Sequence, residues 1–359
     1  MFVAWRDLRF AKGRFALMGA VVVLITLLVG LLSGLTAGLG EQNISAITGL
    51  PADKIVFAAP GDGQNLSYAN SALTETQRRQ WAEAPGVTGA EPLGIATTKA
   101  TAGNRSAGIS VFGVRAGSPL APDSGAIAGD SVVLSRSAAE DLDVRDGDTI
   151  SVAGHPLTVA TVSGDAWFSH TPVVWASLDV WSRTAPPAGG APSATVLALT
   201  TTDADVAATD GALGTKTVSK SESLSAIGSY TSENGSLQLM RGFLFAISAL
   251  VIGAFFTVWT IQRSGDIAVL KALGAGTGFL LKDALGQAVV LLVGGTAVGT
   301  GLAVGFGALV AGSAVPFLLT PATVLVPAAV MILLGALGAA LSVRRITSVD
   351  PLTALGSAR

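Results

Sequence analysis

The chain is 359 residues long, 50% hydrophobic and only 13% charged, with a formal net charge of −2 at pH 7. Such a composition is too apolar for an ordinary soluble domain of this length and points to an integral membrane protein. There is no cysteine, which excludes disulfides together with cysteine-ligated zinc, iron–sulfur and thiolate-haem centres.

In chain order, residues 1–14 form a basic amphipathic segment, with Arg6, Arg9, Lys12 and Arg14 against Asp7. Phe15 to Gly40 then holds 26 residues without Asp, Glu, Lys, Arg or His. At about 1.5 Å per residue that run crosses about 30 Å of hydrocarbon, so residues 15–40 are predicted to be transmembrane helix one. A signal peptide shares the basic start, but this run far exceeds an h-region of about 7–15 residues, and no small-residue cleavage site ends it. Between Glu41 and Arg241 lie 12 of the 22 basic and 20 of the 24 acidic residues. Their short apolar runs are separated by Gly, Pro, Asp and Ser, which predicts a water-soluble domain at 41–236. Helix two, 237–262, contains the 21 uncharged residues from Gly242 to Gln262, and a loop at 263–283 follows. From Ala284 to Val343 there are 60 uncharged residues, too many for one span, interrupted by Gly312, Ser313, Pro316 and Pro321. They divide into helix three at 284–311, a turn at 312–320 and helix four at 321–343, before a tail at 344–359. The predicted fold is therefore four transmembrane α-helices in a one-plus-three order, with an extracellular α+β domain between helices one and two.

Charge sets the expected orientation. The N-terminal segment, the 263–283 loop and the tail together hold 10 basic and 4 acidic residues, against 12 and 20 in the inserted domain. By the positive-inside rule the former face the cytoplasm. This implies a multi-pass protein of the cell membrane with both termini inside, in contact with lipid, and no nucleic-acid partner is expected.

Within the inserted domain, strand-like runs occur at Lys54–Ala58, Ile109–Val114, Ser131–Leu134, Thr149–Val152, Pro156–Val162, Pro172–Trp175, Thr195–Leu199 and Lys216–Val218. Thr74–Ala84 reads as a helix with Thr74 as N-cap and Gln77 completing a capping box, and Ser135–Leu142 as a second short helix. Asp146-Gly147 and Ala153–His155 read as tight turns joining successive strands. Catalytic chemistry finds no footing here. There are two histidines, His155 and His170, no G-x-S-x-G elbow, and no His/Asp/Glu cluster with metal-ligand spacing. The Gly211–Thr217 stretch has the wrong spacing for a phosphate loop. No catalytic residue and no permanently bound cofactor is expected, and any ATP is handled by a partner.

After helix two, Arg263-Ser-Gly-Asp-Ile-Ala-Val-Leu-Lys-Ala-Leu-Gly-Ala places Ile267, Leu270 and Leu273 on one stripe of a short helix, with Lys271 off it. The pattern fits either a knob for a cytoplasmic partner or a simple amphipathic linker. The segment resembles the R-x-x-E-I-[AG]-x-L-[KR]-A-[LIM]-G-A loop of the ABC permease superfamily that includes macrolide exporters, lipoprotein-releasing permeases and cell-division FtsX proteins, with Asp266 in place of Glu. Ala4–Arg14 and Arg345–Gly356 also match it. The resemblance implies a homodimeric permease that grips two copies of a cytoplasmic ABC ATPase through Asp266, Ile267, Leu270, Lys271 and Leu273. In length, in the size of its inserted domain and in Asp165–Trp175, the chain is most similar to haem-efflux permeases of Gram-positive bacteria. That implies haem as the exported substrate. Another amphipathic cargo (a peptide, lipid or antibiotic), or FtsX-like mechanical signalling to a cell-wall hydrolase, is the alternative.

Candidate substrate residues follow from helix faces. Gly30, Gly34 and Gly38 recur at i, i+4 and i+8 on helix one, a small-residue stripe that suits either packing against a symmetry mate or a groove for a flat apolar molecule. Glu41 lies three residues further, at the predicted membrane edge, where a carboxylate sits among headgroups or has a partner. Before helix two, Tyr230, Glu233, Leu237 and Met240 share a face if the helix begins early, with Arg241 beside it. Interfacial anchoring is the ordinary role for Tyr and Arg there. For haem, Glu41, Tyr230 or Glu233 offers iron an oxygen ligand, Met240 a thioether, and Arg241 a partner for a propionate.

Overall fold

In the computed structural model, residues 12–184, 193–262, 265, 269, 274–310, 313 and 315–347 are described. Four helices are long and apolar enough to cross a membrane: α1 (Lys12–Thr48), α6 (Tyr230–Gln262), α7 (Thr277–Val310) and α8 (Pro321–Thr347). The one-plus-three order predicted from the uncharged runs is present. The helices overrun those runs, however. Helix α1 continues past Gly40 through Glu41, Gln42 and Asn43 to Thr48, and α6 starts seven residues ahead of the predicted 237. The α1 extension holds no breaker, Gly49 and Pro51 being the first after it, and the α6 extension holds one glycine, Gly235, which costs about 1 kcal/mol relative to alanine without ending the helix. The apolar span within α1, Phe15–Thr48, covers 34 residues, about 50 Å at about 1.5 Å per residue against about 30 Å of hydrocarbon.

The chain divides into two compact units, Leu39–Gly235 and the remainder. In the membrane unit, Met18, Val22 and Val29 of α1, Ile252, Phe256 and Trp259 of α6, Ala284, Ala288 and Leu292 of α7, and Met331 and Ala339 of α8 form one buried cluster. Lipid tails are as apolar as these side chains, so close backbone packing holds the helices together. A Cβ on Gly299 would meet the Val23 carbonyl oxygen at 2.6 Å, and one on Gly338 would meet Gly253 Cα at 3.2 Å. Helix α8 opens with Pro321 after a reciprocal cap: Thr320 Oγ1 accepts from Thr323 N at 3.2 Å, and Thr323 Oγ1 accepts from Thr320 N at 2.9 Å.

Among the described residues of the inserted unit, two large cores and a smaller third, formed around Trp81 and Leu73, are surrounded by ten strands. They are β1 (Lys54–Ala58), β2 (Val87–Ala102), β3 (Arg105–Val114), β4 (Ser131–Leu134), β5 (Thr149–Val152), β6 (His155–Val162), β7 (Trp167–Phe168), β8 (Thr171–Ser177), β9 (Val196–Thr201) and β10 (Thr215–Ser219). Strand β2 serves two layers. Its first half, Val87–Leu93, pairs with β9 in the order β10-β1-β9-β2. Its second half pairs with β3 and, through Ala100 and Thr101, with β5. That second contact closes a ring β2-β3-β8-β4-β6-β5, in which β3/β8 and β4/β6 are parallel pairs. Helices α2 (Glu75–Ala82), α3 (Arg136–Leu142), α4 (Leu178–Thr184) and α5 (Val206–Leu213) complete the α+β domain. The predicted Thr74/Gln77 capping box is formed, and the helix predicted at Ser135–Leu142 is present with Ser135 as its N-cap. Ala153-Gly154 is a two-residue hairpin turn with φ of 50° and 85°. Asp146-Gly147 departs from expectation, because it leads from α3 into β5 and not from one strand to another.

Side chains alternate between the two large cores as a pleated strand requires. Ile109 and Val111 of β3, with Val174 and Ala176 of β8, line the ring together with Leu142 of α3. Phe112 and Val114, with Val173 and Trp175, face the other cluster. There a chain of edge-on aromatic contacts runs Phe57–Tyr68 (4.9 Å), Tyr68–Phe168 (5.5 Å), Phe168–Phe112 (5.5 Å) and Phe112–Trp175 (5.2 Å). Ala46, Ile47 and Leu50 from the end of α1 are buried in this cluster. Burial pushes the Tyr68 phenol above its ordinary pKa, and its hydrogen bond to Ser223 Oγ at 2.9 Å keeps the hydroxyl satisfied.

Candidate functional site

In the membrane unit, the glycine stripe of α1 is already occupied. A Cβ on Gly30 would meet Ala303 Cβ of α7 at 2.8 Å, one on Gly34 would fall on the ring of Phe317, and one on Gly38 on the carbonyl of Pro316. The connection between α7 and α8, predicted as a plain turn, thus lies along α1. Leu318 N donates to Gly34 O at 3.1 Å, and the Phe317 ring also takes the place of a Cβ on Gly307. The groove is filled by this chain's own residues. That leaves Leu17, Leu24 and Leu28, each more than half exposed, as the face α1 presents to lipid or to a second copy.

Arg241 lies on α6, where its Nη2 donates to Thr36 Oγ1 of α1 at 2.8 Å. Its Nε is buried without a hydrogen-bond partner. An ionised side chain on a membrane helix is costly and commonly marks function, and this one keeps a donor uncommitted. Met240, its neighbour, is 47% exposed.

The inserted unit holds a second polar cluster. Glu233, half-buried in the first turn of α6, accepts from His170 Nε2 at 2.7 Å and from Asn43 Nδ2 at 2.8 Å through the same Oε2. His170 and Ser169 form the two-residue turn between β7 and β8, with φ of 62° and 48°. Hairpin turns of this handedness favour Asn-Gly, so Ser-His is a strained choice that surrounding contacts must enforce. They do: Ser169 N and His170 N donate to the carbonyls of Asn43 and Gln42 at 3.0 and 2.9 Å, and Ser45 Oγ accepts from Trp167 N at 2.9 Å. Of the sequence candidates here, Glu41 is exposed and separate from this cluster, while Tyr230 is half-buried against the aromatic core. His170 and Asn43 were missed because their partner lies 63 and 190 residues away in sequence; the one local signal was two non-glycine residues at a hairpin tip. Among the described residues no group of three or more His, Asp or Glu is placed to hold a metal ion. Asp266, Ile267, Leu270, Lys271 and Leu273 lie outside the described residues.

Comparison with known proteins adds the following. The chain matches the family model of the MacB-like periplasmic core domain over residues 15–216 and that of the FtsX-like permease C-terminal domain over residues 239–351. It is 26% identical, over 99% of both chains, to a protein assigned as hemin transport system permease HrtB of Staphylococcus haemolyticus, and 24% identical over the same shares to its namesake in Staphylococcus epidermidis. Among solved structures it is similar to the periplasmic region of MacB from Actinobacillus actinomycetemcomitans, with 14% identity and a TM-score of 0.36, covering 50% of this chain and 94% of that one.

Proposed function

The chain belongs to the MacB-like and FtsX-like family of ABC permeases and is a multi-pass membrane protein, and from that premise we propose that it works with a separate cytoplasmic ATPase and expels haem from the membrane. The observation that carries the substrate is its relatedness, over 99% of both chains, to permeases assigned to hemin transport. The residues at hand support it. Arg241 keeps a buried donor uncommitted for an anionic group, which suits a propionate. Glu41 is exposed and available as an oxygen ligand to ferric iron. Met240 is exposed, whereas Glu233 is committed to His170 and Asn43 and Tyr230 packs on the core. Of the four ligand candidates, Glu41 and Met240 are thus the ones with exposed side chains and no partner among the described residues.

The pump we propose is a homodimer in lipid, gripped by two ATPase subunits through the stripe Ile267, Leu270 and Leu273. It does no chemistry on its cargo; closure of the ATPases moves the membrane helices and releases haem outward. Hemin added to the purified permease–ATPase complex in lipid nanodiscs is expected to raise ATP turnover and colour the protein, and Glu41→Ala is expected to shift or weaken the haem absorbance. A colourless complex whose turnover ignores hemin would overturn the haem reading in favour of another amphipathic cargo or of signalling to a cell-wall hydrolase.

Orientation has its own test. With the basic loops in the cytoplasm, Ser106→Cys, at the exposed start of β3, is expected to react with a membrane-impermeant maleimide on whole cells. Ser348→Cys, in the tail, reacts only after lysis. The chain has no native cysteine to confuse the readout. Labelling of Ser348→Cys on intact cells would reverse the topology.

A further inference from the structure

The segment from Pro316 to Leu318 lies in a slot between α1 and α7. Phe317 lies where α1 and α7 both carry glycine, Gly34 and Gly307, so that both backbones are cut away to admit one flat ring. Beside the ring a crevice remains, lined by Thr26, Gly30, Gly34, Thr323 and Pro327 among others. Thr26 is only 2% exposed, yet its Oγ1 has no hydrogen-bond partner. Pro327, inside α8, has no N–H to give the Thr323 carbonyl one turn earlier. A buried hydroxyl without a partner therefore lines the crevice, and leaving such a group unpaired in an apolar setting is costly.

We propose that Phe317 is a displaceable plug: its ring stands in for the flat apolar edge of a cargo molecule in the slot between Gly34 and Gly307, and the Pro316–Leu318 strap leaves the slot during the transport cycle. The strap has few anchors to break. Two hydrogen bonds hold it, Leu318 N to Gly34 O of α1 at 3.1 Å and Thr323 Oγ1 of α8 to Leu318 O at 3.0 Å; the rest is contact of the Phe317 ring and Pro316 with helix backbone. In this proposal a planar molecule of aromatic or macrocyclic class enters the slot edge-first once the strap has left, and the unpaired Thr26 Oγ1 at the crevice bonds to one of its polar atoms. The cargo class rests on the haem reading above, while the movement of the strap does not.

The test uses the permease co-purified with its ATPase in nanodiscs. Gly34→Cys with Phe317→Cys, joined by a short bis-methanethiosulfonate, is expected to cross-link in the resting complex and to lose that cross-link when the complex is trapped with ATP and vanadate. Once tethered, the complex loses stimulation by hemin and regains it with reductant. Equal cross-linking in the resting and trapped states overturns the plug. Cross-linking that is lost on trapping, in a complex that hemin never stimulates, upholds the strap and overturns the haem reading instead. In the single variant Phe317→Ala, or Phe317→Leu should the alanine variant not assemble, hemin stimulation is expected at lower hemin concentration, because the competing ring is gone. An unchanged or higher half-saturating concentration overturns the competition between ring and cargo.

Discussion

Leu270→Asp is expected to strip the partner ATPase from the permease and abolish transport while the membrane unit stays folded. The i, i+3, i+6 spacing of Ile267, Leu270 and Leu273 predicts one apolar stripe if this segment is helical, and the segment is matched by the FtsX-like family model. A stripe of three apolar side chains on a cytoplasmic loop is stable in water only at some cost, which a partner groove removes. Burying a leucine contributes about 1.5–3 kcal/mol, and a carboxylate in its place must also be desolvated. At about 1.4 kcal/mol per tenfold, association weakens about a hundredfold or more. The measurement is co-purification of the ATPase with tagged permease, alongside the elution volume of the permease itself. Wild-type stoichiometry would sink the coupling role of this stripe, and aggregated permease would show that the residue supports the fold instead.

How far such roles are legible in the sequence depends on whether the signal is local. The four membrane helices were legible because absence of charge over 20 or more residues has one cheap solution in lipid. The capping box at Thr74 and Gln77 and the turn at Ala153-Gly154 were legible because their chemistry lies within three or four residues. Strand β2, the longest, was not: in Val87–Ala102 the β-branched Val, Ile and Thr are interrupted by Gly89, Glu91-Pro92, Gly94 and several Ala, so it shows no clean alternation. Its strand character comes from pairing on both sides with β9 and β3. The Gly30/Gly34/Gly38 stripe was legible as a close-approach surface, but its occupant was not. Nothing in Pro316-Phe-Leu-Leu says that it will lie against a helix some 280 residues upstream, because a small-residue groove specifies a shape and leaves open what fills it. The Asn43–Glu233–His170 cluster is of the same kind: three polar residues that gain meaning only when the fold brings them together.

Arg241 carries the second large effect, and here chemistry of the cargo and of the protein can be varied together. Its guanidinium is held by Thr36 Oγ1 on one nitrogen and has a buried, unbonded Nε on another. If that donor serves a haem propionate, Arg241→Ala removes a charge-assisted hydrogen bond worth about 1.5–3 kcal/mol. The half-saturating hemin concentration for ATPase stimulation then rises about tenfold to a hundredfold. A loss of that size could equally come from disturbed packing between α1 and α6, so the variant alone does not decide. Hemin dimethyl ester, which lacks the propionate charges, does. Wild-type complex is expected to respond to the ester only at the raised concentration, and the Arg241→Ala complex is expected to respond to hemin and its ester alike, because the group that told them apart is gone. Arg241→Lys keeps the charge but not the planar fork, and falls between. Should Arg241→Ala retain the full wild-type preference for the free acid, Arg241 is an anchor for Thr36 and not a cargo ligand, and the propionates are read elsewhere.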